Sequence, residues 1–281
     1  MSWRLRVCHR TGFKYQSPVV SSYNEARLIP PSTTDQLVIE ADVTIDPPVP
    51  CFRYRDYWGT QVHAFDIHVP HTELAVTATT LVETADVRPP ADDCGWQSLA
   101  DPVVRDRFTE LLAPTGYVPL DHDSLAEPSA RAAAAPSPAG ACQQASEWVR
   151  DRMTYEPGAT TVSTTAIDAL DHGRGVCQDF AHVTLAILRR AGVPARYVSG
   201  YLHPVADADV GATTTGESHA WVEAWIGRWA PFDPTNGLPV GPRHVVVSRA
   251  RDYADVAPLK GIYHGGPASA LAVKVDITRL A

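Results

Sequence analysis

The chain has 281 residues, of which 44% are hydrophobic and 20% charged, and its formal net charge is -8. This composition is typical of a soluble globular protein with one large or two ordinary domains, and an acidic chain without a basic run argues against a nucleic-acid partner. The sequence contains no run of about 18 apolar residues, so no transmembrane helix is predicted. Since the N-terminus also lacks the apolar block of a signal peptide, we expect a cytoplasmic protein with no membrane partner.

Residues 1–85 have the pattern of short strands separated by turns. Apolar and polar side chains alternate with period two, and turn-forming pairs such as Pro47-Pro48 interrupt them. The strands are predicted at residues 5–11, 36–43, 62–69 and 74–82. This pattern predicts an N-terminal β-domain, either β-sandwich-like or a curled sheet.

Residues 86–140 are predicted to be a connecting segment with short helices. One helix is predicted over 103–112, where apolar residues recur at helical spacing. Residues 130–138 are rich in Ala and Pro and are predicted to be an exposed connection, because Pro136 and Pro138 should stop a helix.

Residues 141–281 mix both periodicities and are predicted to form the second domain. Helices are predicted at 143–153, 165–172 and 177–190. Strands are predicted at 195–202, 219–226, 228–232 and 270–278. The whole chain is therefore predicted to be α+β.

Cys177 is the first residue of the longest predicted helix. The preceding Gly173-Arg174-Gly175-Val176 gives a tight turn that can expose the next side chain. A thiol in the first turn meets unpaired backbone N–H groups and the positive end of the helix dipole, which favour the reactive thiolate. A cysteine considered alone is more often a buried structural residue than a nucleophile. The interpretation of Cys177 therefore depends on whether the chain offers a histidine and a carboxylate to act with it.

Two such partners follow, His219 and Asp233. They flank a predicted hairpin that turns at Gly227, eight residues after His219 and six before Asp233. In an antiparallel hairpin the start of one strand lies beside the end of the other, so the two side chains can face each other. A carboxylate that fixes the imidazole tautomer, with the thiol beside that imidazole, is a Cys-His-Asp triad.

Four blocks in this order resemble the transglutaminase-like superfamily of papain-like cysteine enzymes. The blocks are Gly173-Arg174-Gly175-Val176-Cys177-Gln178-Asp179-Phe180-Ala181, Gly192-Val193-Pro194-Ala195-Arg196-Tyr197-Val198-Ser199-Gly200-Tyr201, Ser218-His219-Ala220-Trp221-Val222-Glu223 and Phe232-Asp233-Pro234-Thr235-Asn236. The first domain, with Arg53-Tyr54-Arg55-Asp56-Tyr57-Trp58-Gly59-Thr60, looks like the N-terminal β-domain of the bacterial branch. The resemblance implies a papain-like core at 141–281, with a central helix packed on an antiparallel sheet.

The resemblance also implies the chemistry. A Cys177-His219-Asp233 enzyme would act on a peptide or protein amide through a thioester, and water or an amine acceptor would release the acyl group. Tyr155 and Gln178 are candidates for an oxyanion donor or for tuning the site. The chain has no Asp-x-Asp-x-Asp-Gly loop, so calcium is not carried over from the animal enzymes and no cofactor or metal is expected.

Two other functions are kept beside this one. The chain could be a non-catalytic binding or scaffold module on the same fold, which the presence of all three triad residue types disfavours. It could also hold zinc with Cys177, His219 and Asp233, and with His182 as an optional fourth ligand, since zinc accepts nitrogen, sulfur and oxygen ligands.

Overall fold

The structure, a computed structural model, describes residues 2–216 and 218–281, with residues 269–271 described by their backbone alone. The strands are β1 (Ser2–Ala26), β2 (Gln36–Asp46), β3 (Phe52–Arg55), β4 (Gln61–Ile67), β5 (His71–Ala85), β6 (Thr154–Tyr155), β7 (Arg174–Gly175), β8 (Ala195–Leu202), β9 (Thr213–Gly216), β10 (His219–Trp225), β11 (Trp229–Phe232), β12 (His244–Ala250), β13 (Leu259–Gly265) and β14 (Ala268–Arg279). The helices are α1 (Trp96–Leu99), α2 (Pro102–Arg107), α3 (Thr109–Leu112), α4 (Ala126–Ala133), α5 (Pro138–Arg152), α6 (Ala166–His172), α7 (Cys177–Arg190) and α8 (Tyr253–Val256), with a 3-10 turn at Asp123–Leu125. Within the described ranges, no helix combines the length and apolar character that a membrane span requires.

The large sheet is antiparallel and curled. Its strand order is β2-β5-β1-β14-β9, while β13 and β4 pair with the second half of β1 and β3 pairs with β4. Strand β1 reaches 25 residues, well beyond the predicted 5–11, because neighbours on both sides supply hydrogen bonds along its length. The α+β prediction is confirmed, and of the two predicted β arrangements the curled sheet is the one present.

The C-terminal strands belong to this same sheet. Strands β13 and β14 both pair with β1, so the chain returns at its end to the sheet with which it begins. The division of the sequence at residues 85 and 140 stays a prediction. The hydrogen bonding adds that the large sheet contains strands from both sides of it.

The small sheet carries the central helix. Its order is β11-β10-β8-β12, and α7 packs against β10 and β8, with α5 and α6 beside it. Helix α7 has the predicted bounds of 177–190, and its side chains from 178 to 189 are buried. The predicted central helix on an antiparallel sheet is thus confirmed.

An apolar layer joins the two sheets. Trp3, Leu5 and Val7 of β1 pack with Tyr201 of β8 and Val245 of β12, all of them nearly inaccessible to solvent. Burying a large apolar side chain contributes roughly 1.5–3 kcal/mol to folding. The layer therefore fixes β8 and β12, and with them the sheet from which the site is built, against the N-terminal strands.

The prediction of an exposed connection at residues 130–138 is confirmed in part: residues 130, 131, 133, 134 and 136 are exposed and α4 ends before Pro136, but other side chains of the segment are buried. Ala132, Ala135 and Pro138 are buried. Pro138 does not stop a helix but begins α5, where the side chain of Ser137 caps the backbone N–H of Gly140. Proline suits the first helical position because its missing N–H has no acceptor there. The predicted helix 103–112 is likewise two short helices, since the backbone breaks between α2 and α3.

Candidate active site

The first turn of α7 is held by a buried carboxylate. Asp179 accepts hydrogen bonds from the backbone N–H of Val176 at 2.7 Å and from the Thr160 hydroxyl at 2.6 Å. A Cβ atom on Gly175 would lie 2.4 Å from the same carboxylate oxygen. Glycine is therefore required at 175 by this close approach, and Asp179 sets where the helix begins.

Cys177 lies half-buried at that helix end. Its thiol is 3.9 Å from the carbonyl oxygen of Ser218, the residue before β10. As the first residue of α7, Cys177 has a backbone N–H without an acceptor inside the helix. Cys177 thus presents both its thiol and a backbone N–H donor next to the strand that carries His219.

The predicted hairpin brings His219 and Asp233 together. Strands β10 and β11 pair with Trp225 opposite Trp229, and the turn between them uses Gly227 at φ +91°. Nε2 of His219 donates to Oδ2 of Asp233 over 2.8 Å. The hydrogen bond leaves Nδ1 of the ring for Cys177, with which His219 interacts.

Asp233 is almost fully hydrogen bonded. Its Oδ1 accepts from the backbone N–H groups of Thr235 and Asn236 at 3.0 and 3.1 Å, and its Oδ2 also accepts from the Asn236 amide at 2.9 Å. Its side chain is inaccessible to solvent. Asp233 therefore holds the turn that follows it through Oδ1 and bonds to His219 through Oδ2.

The electrostatics of the pair favour an ionised state. Burial acts to lower the pKa of His219, but the hydrogen bond to Asp233 and the interaction with Cys177 outweigh it and raise this pKa to about 10. Burial acts to raise the pKa of Asp233, yet its bonds with His219 and His244 bring it below the usual range. At neutral pH the pair is an imidazolium beside a carboxylate.

His244 is a member of this group that the sequence did not indicate. It begins β12, is buried, and its Nε2 lies 3.6 Å from Oδ2 of Asp233. The backbone N–H of Gly241 donates to its Nδ1 at 3.2 Å. No motif precedes His244, so only the pairing of β12 with β8 could have placed it.

His219, Asp233 and His244 each offer one possible metal ligand, with these atoms within 4.8 Å of one another. Because Nδ1 of neutral His244 accepts a hydrogen bond, its Nε2 carries the proton and faces Asp233. A protonated nitrogen does not ligate a metal. The arrangement is therefore that of a carboxylate hydrogen bonded to His219, with the Nε2–H of His244 directed at it from 3.6 Å.

His182 lies away from this group. Its Nε2 accepts from the backbone N–H of Tyr253 at 3.2 Å, and its ring packs between Tyr117 and Tyr197. The four-ligand zinc site with His182 is thus wrong as a geometric expectation.

The two candidate tuning residues lie in different places. Gln178 is buried, and its side-chain amide donates to the carbonyl of Val162 at 3.3 Å. Tyr155 is exposed and lines a cleft of about 570 Å³ together with Ser218 and His219. Strands β9 and β14 of the large sheet form the opposite wall of this cleft.

Residues 124–234 match the family model of the transglutaminase-like superfamily, and residues 5–83 match that of the bacterial transglutaminase-like N-terminal region. The chain is 50% identical to an uncharacterized protein of Mycobacterium leprae, over 99% of this chain and 100% of that one. It is 34% identical to a protein-glutamine gamma-glutamyltransferase of Pseudomonas aeruginosa, over 30% of this chain and 14% of that protein.

The fold has a solved counterpart. The crystal structure of a candidate cysteine protease from Cytophaga hutchinsonii superposes with a TM-score of 0.78 at 22% identity, covering 100% of this chain and 92% of that one. At this identity the likeness concerns the fold. With both family regions matched in order and the fold in agreement, the chain belongs to the transglutaminase-like superfamily.

Proposed function

We propose that the protein transfers an acyl group from a peptide or protein amide, through a thioester on Cys177, to water or to an amine. The observation that carries the proposal is the 2.8 Å hydrogen bond from His219 to Asp233, next to the Cys177 thiol. Cys177 is the nucleophile, His219 the general base and acid, and Asp233 the group that orients the ring.

In the first half of the reaction the thiolate attacks the amide carbon. A sulfur–carbon bond forms, the carbonyl electron pair moves to oxygen, and the backbone N–H of Cys177 donates to that oxygen. The His219 imidazolium then gives its proton to the leaving nitrogen as the carbon–nitrogen bond breaks. A raised pKa of His219, about 10, supports a proton held there until this step.

In the second half neutral His219 removes a proton from water or from an amine. The resulting nucleophile attacks the thioester carbon, the carbon–sulfur bond breaks, and the thiolate is restored beside the imidazolium. Asp233 keeps its negative charge throughout and stabilises the imidazolium. Water as acceptor gives a peptidase or amidase, and an amine gives a transglutaminase.

The test is turnover of a panel of neutral peptide amides, including glutamine side chains, with and without an added primary amine. We expect ammonia or amine release that Cys177→Ala abolishes. The matched control is Cys51→Ala, which removes an exposed thiol far from the site in sequence. Equal activity of the Cys177→Ala variant and the unmodified protein would refute the proposal.

We also propose that the protein acts in the cytoplasm, where its five cysteines would stay reduced. Fractionation of the source cells with an antibody to the chain tests this. Recovery outside the cytoplasmic fraction would contradict it.

A further inference from the structure

Asp233 is approached by a second histidine besides His219. His244 Nε2 lies 3.6 Å from Oδ2, the same carboxylate oxygen that accepts from His219. The side chain of His244 is 2% exposed, so water does not replace this neighbour. A buried ring nitrogen at this distance is either a weak donor to Asp233 or has no partner at all.

The orientation of the ring is set from its other nitrogen. The N–H of Gly241 donates to Nδ1, which places the proton of the neutral ring on Nε2, toward Asp233. Burial lowers the pKa of His244, against the raising effect of Asp233, so the neutral ring is favoured. Trp221, which is fully buried, lies edge-to-face against His244 at 5.3 Å and stacked on His219 at 5.9 Å, and the two imidazole rings are themselves 6.2 Å apart, so the three rings pack against one another.

The N-terminal sheet fixes the strand that carries His244. The side chain of Gln36, on β2, donates to the carbonyl of Val246 at 2.8 Å and accepts from its N–H at 2.9 Å. Thr84 of β5 donates to the carbonyl of Pro242, just before β12. A side-chain amide that satisfies both backbone groups of one residue acts as a short extra strand and fixes the register there.

We propose that His244 is a positioning residue: it holds Asp233 in the orientation that presents Oδ2 to His219, and Gln36 of the N-terminal sheet holds His244 in turn. This inference rests on the proposed function, because the pair it positions is the proposed base and its orienting carboxylate. It gives the N-terminal sheet a role in the reaction through β12.

The charged and titratable groups near His244 are few. Asp233 and His219 lie on the hairpin side and Arg243 precedes His244 in the chain, and all three affect its pKa. The cavity beside the ring is also lined by Asp35, Arg196, Glu223 and Arg249. Glu223 is bonded to both arginines, so this cluster is largely neutralised.

The test compares His244→Leu, which removes the donor, with His244→Gln, whose amide can donate from nearly the same place. We expect His244→Leu to lower kcat about tenfold with KM unchanged, and His244→Gln to recover kcat to within about threefold. The control is His264→Leu, at an exposed position of β13. Unchanged kcat in His244→Leu, or equal impairment in both variants, would overturn the inference.

Two measurements separate this inference from the proposed function. The rate of Cys177 alkylation by iodoacetamide, followed across pH by peptide mass mapping, reports the Cys177–His219 pair without any substrate. We expect its pH dependence to move in His244→Leu and to return in His244→Gln. If no amide is turned over, the proposed function fails, whereas an alkylation profile unchanged by His244→Leu overturns the role of His244.

A variant outside the site covers the case in which His244→Leu does not fold. Gln36→Ala leaves every side chain of the site in place and removes the two bonds to Val246, together with the hydrogen bond that the Gln36 amide donates to the carbonyl of Pro31 at 2.7 Å. We expect kcat to fall about threefold and the alkylation profile to shift in the same direction as in His244→Leu. Native kcat and a native profile in folded Gln36→Ala would contradict the link to the N-terminal sheet.

Discussion

Two regions along α7 each contain a buried histidine, and the pKa values of these histidines are shifted in opposite directions. At the N-terminal end of the helix, His219 has a carboxylate within hydrogen-bond distance, and its pKa is raised to about 10. Further along α7, His182 of the helix itself contacts aromatic rings and a backbone N–H. Burial together with Arg189 lowers the pKa of His182 to about 3.

The difference shows what burial does on its own. Loss of water disfavours the charged imidazole at both places, and at His219 a buried anion, with the interaction of Cys177 added to it, reverses that preference. Asp233 is that anion, and it stays ionised because His219, His244 and Asn236 surround it. A reactive region and a structural region can therefore use the same residue type in the same small fold.

Removing the anion should have the largest effect. In Asp233→Asn the ring of His219 loses its acceptor and its fixed tautomer, so we expect kcat/KM to fall about 1000-fold. The pKa of His219 should drop toward that of His182, which would be visible in the NMR titration of the ring. Asp151→Asn, an exposed position near the end of α5, is the matched control. A His219 pKa that stays near 10 in Asp233→Asn would show that the carboxylate does not cause the difference.

His182 and His219 should also make the free energy of unfolding depend on pH in opposite directions. His182 stays neutral in the fold, so below pH 6.5 protons bind the unfolded chain first and stability falls as pH falls toward about 3. His219 binds its proton more tightly in the fold, so its contribution is complete below pH 6.5 and is lost as pH rises toward about 10. Urea unfolding at pH 5, 7 and 9 measures both.

In His182→Gln, which can still accept from the N–H of Tyr253, we expect the loss between pH 7 and 5 to shrink by roughly 2 kcal/mol. His219→Gln should leave the acid side unchanged and reduce the loss on the alkaline side. If both variants have the acid slope of the unmodified protein, the lowered pKa of His182 is not what makes the fold acid-sensitive.

Much of the site follows from local sequence rules. The bounds of α7, the turn at Gly227 and the facing of His219 and Asp233 all come from short-range patterns, namely helical periodicity and hairpin geometry. These interactions span few residues, so a single sequence contains them.

The features that the sequence did not predict depend on contacts between residues far apart in the chain. His244 reaches Asp233 because β12 pairs with β8, and β12 is positioned partly by Gln36, 210 residues from Val246 in sequence. The long β1 is stabilised by strands from both ends of the chain. Proline ends a helix that would continue through it but suits the first position of a helix that begins there. The sequence around Pro138 does not distinguish these two cases, and in the structure α5 begins at Pro138.

Gly175→Ala tests how rigidly the reactive end of α7 is built. The added Cβ would meet Oδ2 of the Asp179 carboxylate at 2.4 Å, and this oxygen, on a short buried side chain, already accepts two hydrogen bonds. We expect a loss of roughly 1–2 kcal/mol in unfolding free energy and slower alkylation of Cys177. Gly116→Ala, where a Cβ meets nothing within 4 Å, is the control.

The clash can be separated from a backbone effect by a second change. Asp179→Ala removes the carboxylate oxygen and carbon that the new Cβ would meet at 2.4 and 2.8 Å, and leaves the Asp179 Cβ at 2.7 Å. Because most of the clash is relieved, the double variant should be more stable than the sum of the two single losses predicts. Strict additivity would mean that Gly175 matters for its own conformational freedom and not for the close approach of Asp179.

Gln178 should give the smallest effect, although it follows the nucleophile directly. Its amide donates to the carbonyl of Val162, so it holds the loop before α6 and is not directed by any described hydrogen bond to His219. We expect Gln178→Leu to change kcat by about twofold at most and to lower the unfolding free energy by about 1 kcal/mol, the value of one neutral hydrogen bond. A loss of kcat of about 100-fold at unchanged stability would instead assign its amide to the oxyanion, and the reactive region would then extend one residue further into α7.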